Sequence, residues 1–338
     1  MFTKSVGIDL GTANTLVYMK GKGIVIREPS VIAVNTKTGK AHCVGHEAKE
    51  IIGRTPGSIV AVKPLRNGVI ADFEMAWVML REFIKKALHG SITKKAKVII
   101  CIPSGITAVE GRAVREAAEK TGAKPVYLVE EPMAAAIGAG LPVDEPCGSM
   151  IVDIGGGTSE MAVISLNGIV TCRSVRVAGN EFDTAIINFI KRKYNLLIGE
   201  RSAEEIKMEI GSAYPDEKDS SAQIRGRNLL NGLPENIAVT SAEIREALSE
   251  PISHIIDEIR TTLEKTPPEL SADIIEQGIT IAGGGALLRG LDTLISEETG
   301  IPVHVAGYPL DCVAEGTGKI VEDFERYKDV LCEDSRYW

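Results

Sequence analysis

Two stretches of this chain set a carboxylate beside glycines and hydroxyls: Val6-Gly-Ile-Asp-Leu-Gly-Thr-Ala-Asn-Thr15 and Met150-Ile-Val-Asp-Ile-Gly-Gly-Gly-Thr-Ser159. In each, an apolar strand carries one aspartate, Asp9 or Asp153, straight into a turn. Glycine lets backbone N–H groups converge on an anion, because no Cβ blocks the approach. A carboxylate cannot itself bind phosphate, so one beside such a turn calls for a metal ion or an ordered water between the two. Glu131, before Pro132, is a third acid, able to orient a water towards a terminal phosphate. Phosphoryl transfer asks mainly for such positioning and for charge stabilisation. Taken singly, each acid has a plainer reading: an Asx turn for the aspartates, a helix N-terminal carboxylate for Glu131. The repeat of the arrangement favours a site. Backbone amides of two hairpins would hold a polyphosphate, with Asp9 and Asp153 facing each other and Mg²⁺ held between them largely through waters.

Other chemistries lack their signatures. A third glycine turn, Gly283-Gly284-Gly285, follows an apolar run, but no turn fits Walker A and no G-x-G-x-x-G follows a strand. His46-Glu47 lacks the second histidine of a zinc protease motif, and no G-x-S-x-G elbow occurs. Five scattered histidines give a His-based metal site little support.

The elements that must position these residues follow from periodicity. Strands are expected at Ser5–Leu10, Thr15–Met19, Ile24–Glu28 and Ser30–Asn35, with 36–68 irregular and suited to a small appended subdomain. Phe73, Trp77, Leu80, Ile84 and Leu88 recur at helical spacing. Lys97–Ile102 and Pro125–Val129 read as strands around a helix capped by Thr107 and Glu110. Pro142–Cys147 marks the boundary between halves. Beyond it come strands at Met150–Ile154, Glu160–Ser165 and Ile169–Ala178, the last two joined at Asn167-Gly168. A helix with Phe182, Ile186, Ile190 and Tyr194 on one face follows, then one capped by Ser202 and Glu205. Thr240 and Glu243 cap a long helix that Pro267-Pro268 stops. Gly278–Ala282 is a strand, a helix starts at Ala286, the last helix starts near Asp311, and 323–338 reads as a mobile or peripheral tail. Alternating strands and helices argue for α/β architecture.

Composition sets wider limits. At 338 residues, the chain buries a substantial core and divides into two domains. Apolar content of 44% and charged content of 25% describe a globular protein. A net charge of −8 argues against nucleic acid as a partner. Six scattered cysteines without C-x-x-C read as reduced core thiols, hence a cytoplasmic setting. Neither a signal peptide nor a membrane-spanning run is expected.

These residues together resemble the MreB-type bacterial actin homologues, in the superfamily of actin, heat-shock chaperone ATPase domains and sugar kinases. Ile8-Asp-Leu-Gly-Thr-Ala-Asn-Thr15 is similar to the family's first phosphate motif and Asp153-Ile-Gly-Gly-Gly-Thr158 to its second. Glu131-Pro-Met-Ala-Ala-Ala-Ile-Gly138 and Glu315-Gly-Thr-Gly318 resemble its connecting helices, and Ile281-Ala-Gly-Gly-Gly-Ala-Leu-Leu288 its adenosine motif. Ser159 departs from the family's second threonine but keeps the hydroxyl.

The resemblance implies an actin-like ATPase fold: two ribonuclease-H-like α/β domains, each with a smaller insert, closing on ATP. Domain I would be 1–144 with insert 33–65, completed by 310–338; domain II would be 145–309 with insert 182–238. Thr12, Ala13 and Asn14 would contact phosphate opposite Gly156, Gly157 and Thr158. Glu204, Glu205, Ile206 and Lys207, with Gly284, Gly285, Ala286 and Leu287, would hold ribose and adenine. Glu131 would activate the hydrolytic water, and Asp9 and Asp153 would order the Mg²⁺ water shell. The family's activity is ATP hydrolysis coupled to paired filaments at the inner face of the cell membrane, which guide the wall-elongation machinery and keep cells rod-shaped. Met1-Phe2-Thr3-Lys4 is too short for the amphipathic N-terminal helix of some members. A loop at Leu88–Thr93, amid Lys85, Lys86, Lys94, Lys95 and Lys97, is the other candidate anchor, each basic residue near anionic lipid contributing about 1 kcal/mol. A chaperone-type ATPase would need a substrate-binding domain, which the residues after 322 do not supply. A metabolite kinase would need an acceptor pocket, and a silent scaffold would not need Asp9, Glu131 and Asp153.

Overall fold

The computed structural model describes residues 5–89, 96–215 and 220–332. The first half opens with β1 (Ser5–Leu10), β2 (Asn14–Met19) and β3 (Gly23–Pro29). Next come β4 (Ile32–Asn35), β5 (Ala41–Val44), α1 (His46–Glu50), β6 (Ile59–Val62), β7 (Leu65–Arg66) and β8 (Val69–Ile70). It continues through α2 (Phe73–Ala87), β9 (Lys97–Ile102), α3 (Ala108–Lys120), β10 (Val126–Glu130) and α4 (Glu131–Ala139).

The second half starts with β11 (Ser149–Ile154), β12 (Ser159–Ser165), β13 (Gly168–Val175) and α5 (Gly179–Tyr194). Then follow β14 (Leu196–Leu197), α6 (Glu200–Ile210), β15 (Ser221–Asn228), β16 (Pro234–Thr240) and α7 (Ser241–Glu264). The chain ends through α8 (Pro268–Gln277), β17 (Ile279–Ala282), α9 (Leu291–Thr299), β18 (Val303–Val305), α10 (Cys312–Glu322) and α11 (Phe324–Tyr327).

One topology occurs twice. The first sheet runs β10-β9-β1-β2-β3 and the second β13-β12-β11-β17-β18. In each, an antiparallel three-strand meander leads, and two parallel strands add beyond its first strand. Both aspartate turns therefore join the first two strands of a meander. Val6, Ile8, Phe83 and Leu128 belong to one core, under α2 and α3. Val152, Phe182, Ile206 and Ile255 belong to another, under α5 to α7. A third core, including Ile99, Val129, Ile151 and Ala282, fills the space between the sheets with α4 and α10. Those two helices touch backbone to backbone. A Cβ at Gly138 would overlap the backbone of Cys312, and one at Gly316 that of Ala134, which explains the small residues in both segments.

Local signals hold where side chains close their own caps. Thr107 with Glu110 and Thr240 with Glu243 form reciprocal capping boxes. Several expectations need correction. Residues 36–68 are not irregular: β4, β5 and β6 form a sheet backed by α1, with Val31, Ala33 and Ala48 buried beneath it. Runs this short give periodicity too few residues to register. Ser202 and Glu205 do not cap α6. The helix starts earlier, after Gly199, and Glu205 pairs with Arg201 one turn back at 2.8 Å. After the third glycine turn, Gly284–Leu287 is a single 3-10 turn, and α9 starts only at Leu291, after left-handed Gly290. Pro268 stops α7 but also opens α8, where its missing N–H costs nothing.

The described part of the tail is docked, not mobile. The Phe324 ring lies tilted against Tyr127 with centroids 4.9 Å apart, Leu331 bridges to Val129, and the Cys332 amide donates to the Leu128 carbonyl. Leu88 is also corrected, since it is wholly buried and cannot insert into lipid. The rest of that candidate loop, 90–93, with Lys94 and Lys95, lies outside the described residues.

Candidate nucleotide site

The first turn is pinned from below. Thr15 and Ser30 hydroxyls meet at 2.8 Å, and Ser30 donates to the Gly11 carbonyl at 2.6 Å. Thr12 Oγ1 accepts the Gly68 amide at 2.9 Å, tying the β7–β8 hairpin to the same turn. The second turn is closed by its own backbone, Gly155 N–H donating to the Thr158 carbonyl at 2.9 Å. The first amides of α5 secure it further: Gly179 donates to Gly155 O at 3.1 Å and Asn180 to Gly156 O at 2.8 Å.

The two turns come from opposite halves and meet in van der Waals contact. A Cβ on Gly156 would sit 2.5 Å from Ala13 Cβ, and one on Gly157 would sit 2.6 Å from Thr12 Oγ1. Thr12, Ala13, Gly156, Gly157 and Thr158 are thus brought together, and Asn14 opens β2 beside them with its side chain exposed. The third turn joins the second. A Cβ on Gly283 would overlap the Asp153 carboxylate, and Gly285 packs on Ile154. Ala286 is buried there, while Leu287 is 54% exposed.

Four acids converge at this meeting point. Asp153 and Glu160 are direct cross-strand partners on β11 and β12. Burial, then the Asp153 and Asp311 charges, push Asp9 up to about 8, and burial alone pushes Asp153 to about 7. Glu131, 8% exposed, is raised well above the usual carboxylate range by burial and then by Glu160, Asp9 and Asp153. Glu160, 1% exposed, is raised by burial although the Ser104 amide (3.1 Å to each oxygen) and the Ser174 hydroxyl (2.9 Å) donate to it. Such a group of carboxylates without a cation is electrostatically incomplete, and a hard divalent cation fits the deficit at Asp9 and Asp153. Glu160 was missed from sequence; a single acid inside the apolar strand Ser159–Ser165 was its signal.

The α6 residues divide. Glu204 reaches across the cleft mouth to Lys49 of α1 at 3.0 Å, and a parallel pair joins Glu200 to Lys63 at 2.7 Å. Ile206 is buried, and Glu205 faces Arg201. Lys207 turns inward to Asp183 of α5, a residue that sequence reasoning did not single out. Among the described residues no group of three or more His, Cys, Asp or Glu is arranged to hold a metal ion directly, and no helix is long and apolar enough to cross a membrane.

Two halves of one topology, a paired core helix crossing between them and glycine turns meeting in the cleft define an actin-like ATPase fold. Comparison with known proteins narrows this. The sequence profile of the family described as MreB/Mbl protein matches residues 3–329. The chain is 53% identical to the cell shape-determining protein Mbl of Bacillus subtilis, over 96% of this chain and 98% of that protein. It is 54% identical to the cell shape-determining protein MreB of Escherichia coli, over 95% and 94%. The crystal structure of MreB5 of Spiroplasma citri bound to AMPPNP superposes with a TM-score of 0.93 at 40% identity, covering 97% of this chain and 99% of that one. The chain belongs to the MreB/Mbl family.

Proposed function

We propose that this chain binds ATP with Mg²⁺ in the cleft, hydrolyses it, and polymerises into paired filaments that hold a rod-shaped cell in form. The observation that carries the reading is the contact of the Thr12–Ala13 and Gly156–Gly157 turns beneath Asp9 and Asp153. AMPPNP in the MreB5 relative supports an adenine nucleotide as occupant. Placement in the cleft supports the following roles. Backbone amides around Thr12, Ala13 and Asn14 and around Gly156, Gly157 and Thr158 hold the phosphates. Asp9 and Asp153 order the waters of the cation. Glu131, at the N-terminus of α4 in the cleft, orients the attacking water. Mg²⁺, when bound, supplies the positive charge that stabilises the phosphates as they react. Gly284 to Leu287 and the α6 residues Glu204 to Lys207 line the adenosine end. Residues 1–144 with 310–338 act as one domain, with insert 33–65, and 145–309 as the other, with insert 182–238; hydrolysis alters their closure. α10 packing on α4 and β1 supports assigning the last segment to the first domain.

Self-association is supported by the β15–β16 hairpin tip, where Leu230 is 79% and Leu233 62% exposed. Such apolar surface at a projecting tip suits contact with a second copy. The filaments lie in the cytoplasm against the inner membrane face and guide the wall-elongation machinery. Family kinship carries this part more than the lysines do. Lys85 and Lys86 are exposed, but Lys86 is paired with Glu28 at 3.0 Å, and Lys97 lies 3.3 Å from the Phe324 ring centre.

Light scattering after addition of Mg²⁺-ATP, with electron microscopy of the product, tests the whole. Filaments are expected; a soluble protein that phosphorylates a small metabolite would contradict it. Glu131→Ala should slow phosphate release and leave nucleotide binding intact, and equal loss of both would remove its role.

A further inference from the structure

We propose that Asp183 is a positioning residue that locks the adenosine-side helix α6 to the second phosphate turn through Lys207. The inference rests on the nucleotide reading above. Lys207 Nζ stands 2.7 Å from Asp183 Oδ1 and donates to the Gly179 carbonyl at 3.0 Å. The pair is largely enclosed, with side chains 16% and 13% exposed. Gly179 opens α5, and its amide and that of Asn180 donate to the carbonyls of Gly155 and Gly156. One ammonium therefore joins three pieces: α6, the first turn of α5, and the glycine turn that faces Thr12 and Ala13.

The pair is better suited to fixing geometry than to adding stability. Enclosing two charges costs desolvation that their attraction offsets only in part. Asp183 feels that cost directly: burial raises its pKa, and the neighbouring Lys207 charge works against the rise. Its Oδ1 has no aligned hydrogen-bond donor, so the contact is a charge pairing. Other charges act on the carboxylate more weakly: Glu204 from α6 adds to the rise and Lys63, beyond β6, opposes it. Lys207, at the same time, is steered away from open solvent and towards the phosphate turn. The separation between the adenosine and phosphate subsites is then set by a side chain that touches neither. Without the Asp183 charge, Lys207 keeps only the Gly179 carbonyl, and α6 can shift along the cleft.

Asp183→Asn keeps the shape and removes the charge. Titration with Mg²⁺-ATP should show affinity falling by about 5- to 150-fold, the usual range for coupling between subsites. Competition by inorganic tripolyphosphate, which occupies only the phosphate end, should be unchanged. Asp183→Glu, which keeps the charge, should recover most of the ATP affinity. Hydrogen exchange of the nucleotide-free Asp183→Asn protein should rise at Gly179 and Asn180 and stay as in the parent at α10. ATP affinity unaltered in Asp183→Asn, equal loss of ATP and tripolyphosphate binding, or a loss in Asp183→Glu as large as in Asp183→Asn would overturn the inference. Failure of the parent protein to bind ATP would count against the nucleotide reading, whereas the exchange result tests the Asp183 link without any nucleotide.

Discussion

Replacing Gly157 by alanine probes the contact on which the cleft depends. The new Cβ would fall 2.6 Å from Thr12 Oγ1 and 2.9 Å from both Thr12 Cβ and Cγ2. Real Cβ atoms do not approach so closely, so one turn must withdraw. Thr12 does not swing aside freely, because it is 7% exposed and its Oγ1 accepts the Gly68 amide at 2.9 Å. Overpacking of this kind costs about 1–3 kcal/mol. The cost falls on the closed arrangement of the two halves, the one proposed to grip a phosphate from both sides. Nucleotide affinity should therefore fall by about 5- to 150-fold, at about 1.4 kcal/mol per decade. Fluorescence anisotropy with a labelled ATP analogue measures it, and thermal melting confirms folding. Gly57→Ala is the control, since a Cβ there meets nothing within 4 Å. A Gly157→Ala protein that binds as tightly as the Gly57→Ala control would refute the reasoning.

Other perturbations give equally definite outcomes. Asp153 is raised from 3.8 to about 7 and Asp9 from 3.8 to about 8, so the folded state holds protons that the unfolded state releases. Stability from these groups is complete below pH 3.8 and is lost as the pH climbs through about 7 and about 8; urea midpoints of the nucleotide-free protein should fall across that window, and Mg²⁺ with ATP should reduce the fall. A midpoint that rises over that window would contradict the sign. Thr240→Ala, which removes the N-terminal cap of α7, should cost about 1 kcal/mol in urea unfolding while nucleotide affinity holds. The exposed Lys63–Glu200 and Lys49–Glu204 pairs close the cleft mouth and are each worth about 0–1 kcal/mol. Lys63→Glu should speed ATP dissociation modestly and adding Glu200→Lys should slow it again; stopped-flow displacement reads both, and no recovery in the double variant would remove the pair's role.

The two candidate phosphate turns were legible because their residues are local. Glycine, aspartate and threonine lie within a few consecutive positions, and the pattern occurs twice, so Asp9, Thr12, Asp153 and Thr158 could be named without any tertiary knowledge. What stayed hidden depends on partners distant in sequence. Lys207 faces Asp183 only because α6 folds back on α5, and Glu160 joins Glu131 only because β12 packs against α4, which Glu131 opens. Leu88 fitted two readings, core stripe or lipid anchor, and burial alone decides for the core. The β4–β5–β6 sheet escaped because its strands are too short for alternation to stand out from their Gly- and Lys-rich surroundings.

The central claim is that one nucleotide is gripped by both turns at once. A crystal structure of the chain with Mg²⁺ and AMPPNP would measure this directly. The account predicts the triphosphate between Thr12–Asn14 and Gly156–Thr158, with the cation's waters hydrogen-bonded to Asp9 and Asp153. A nucleotide held by one turn alone, or with its cation out of reach of both aspartates, would contradict it.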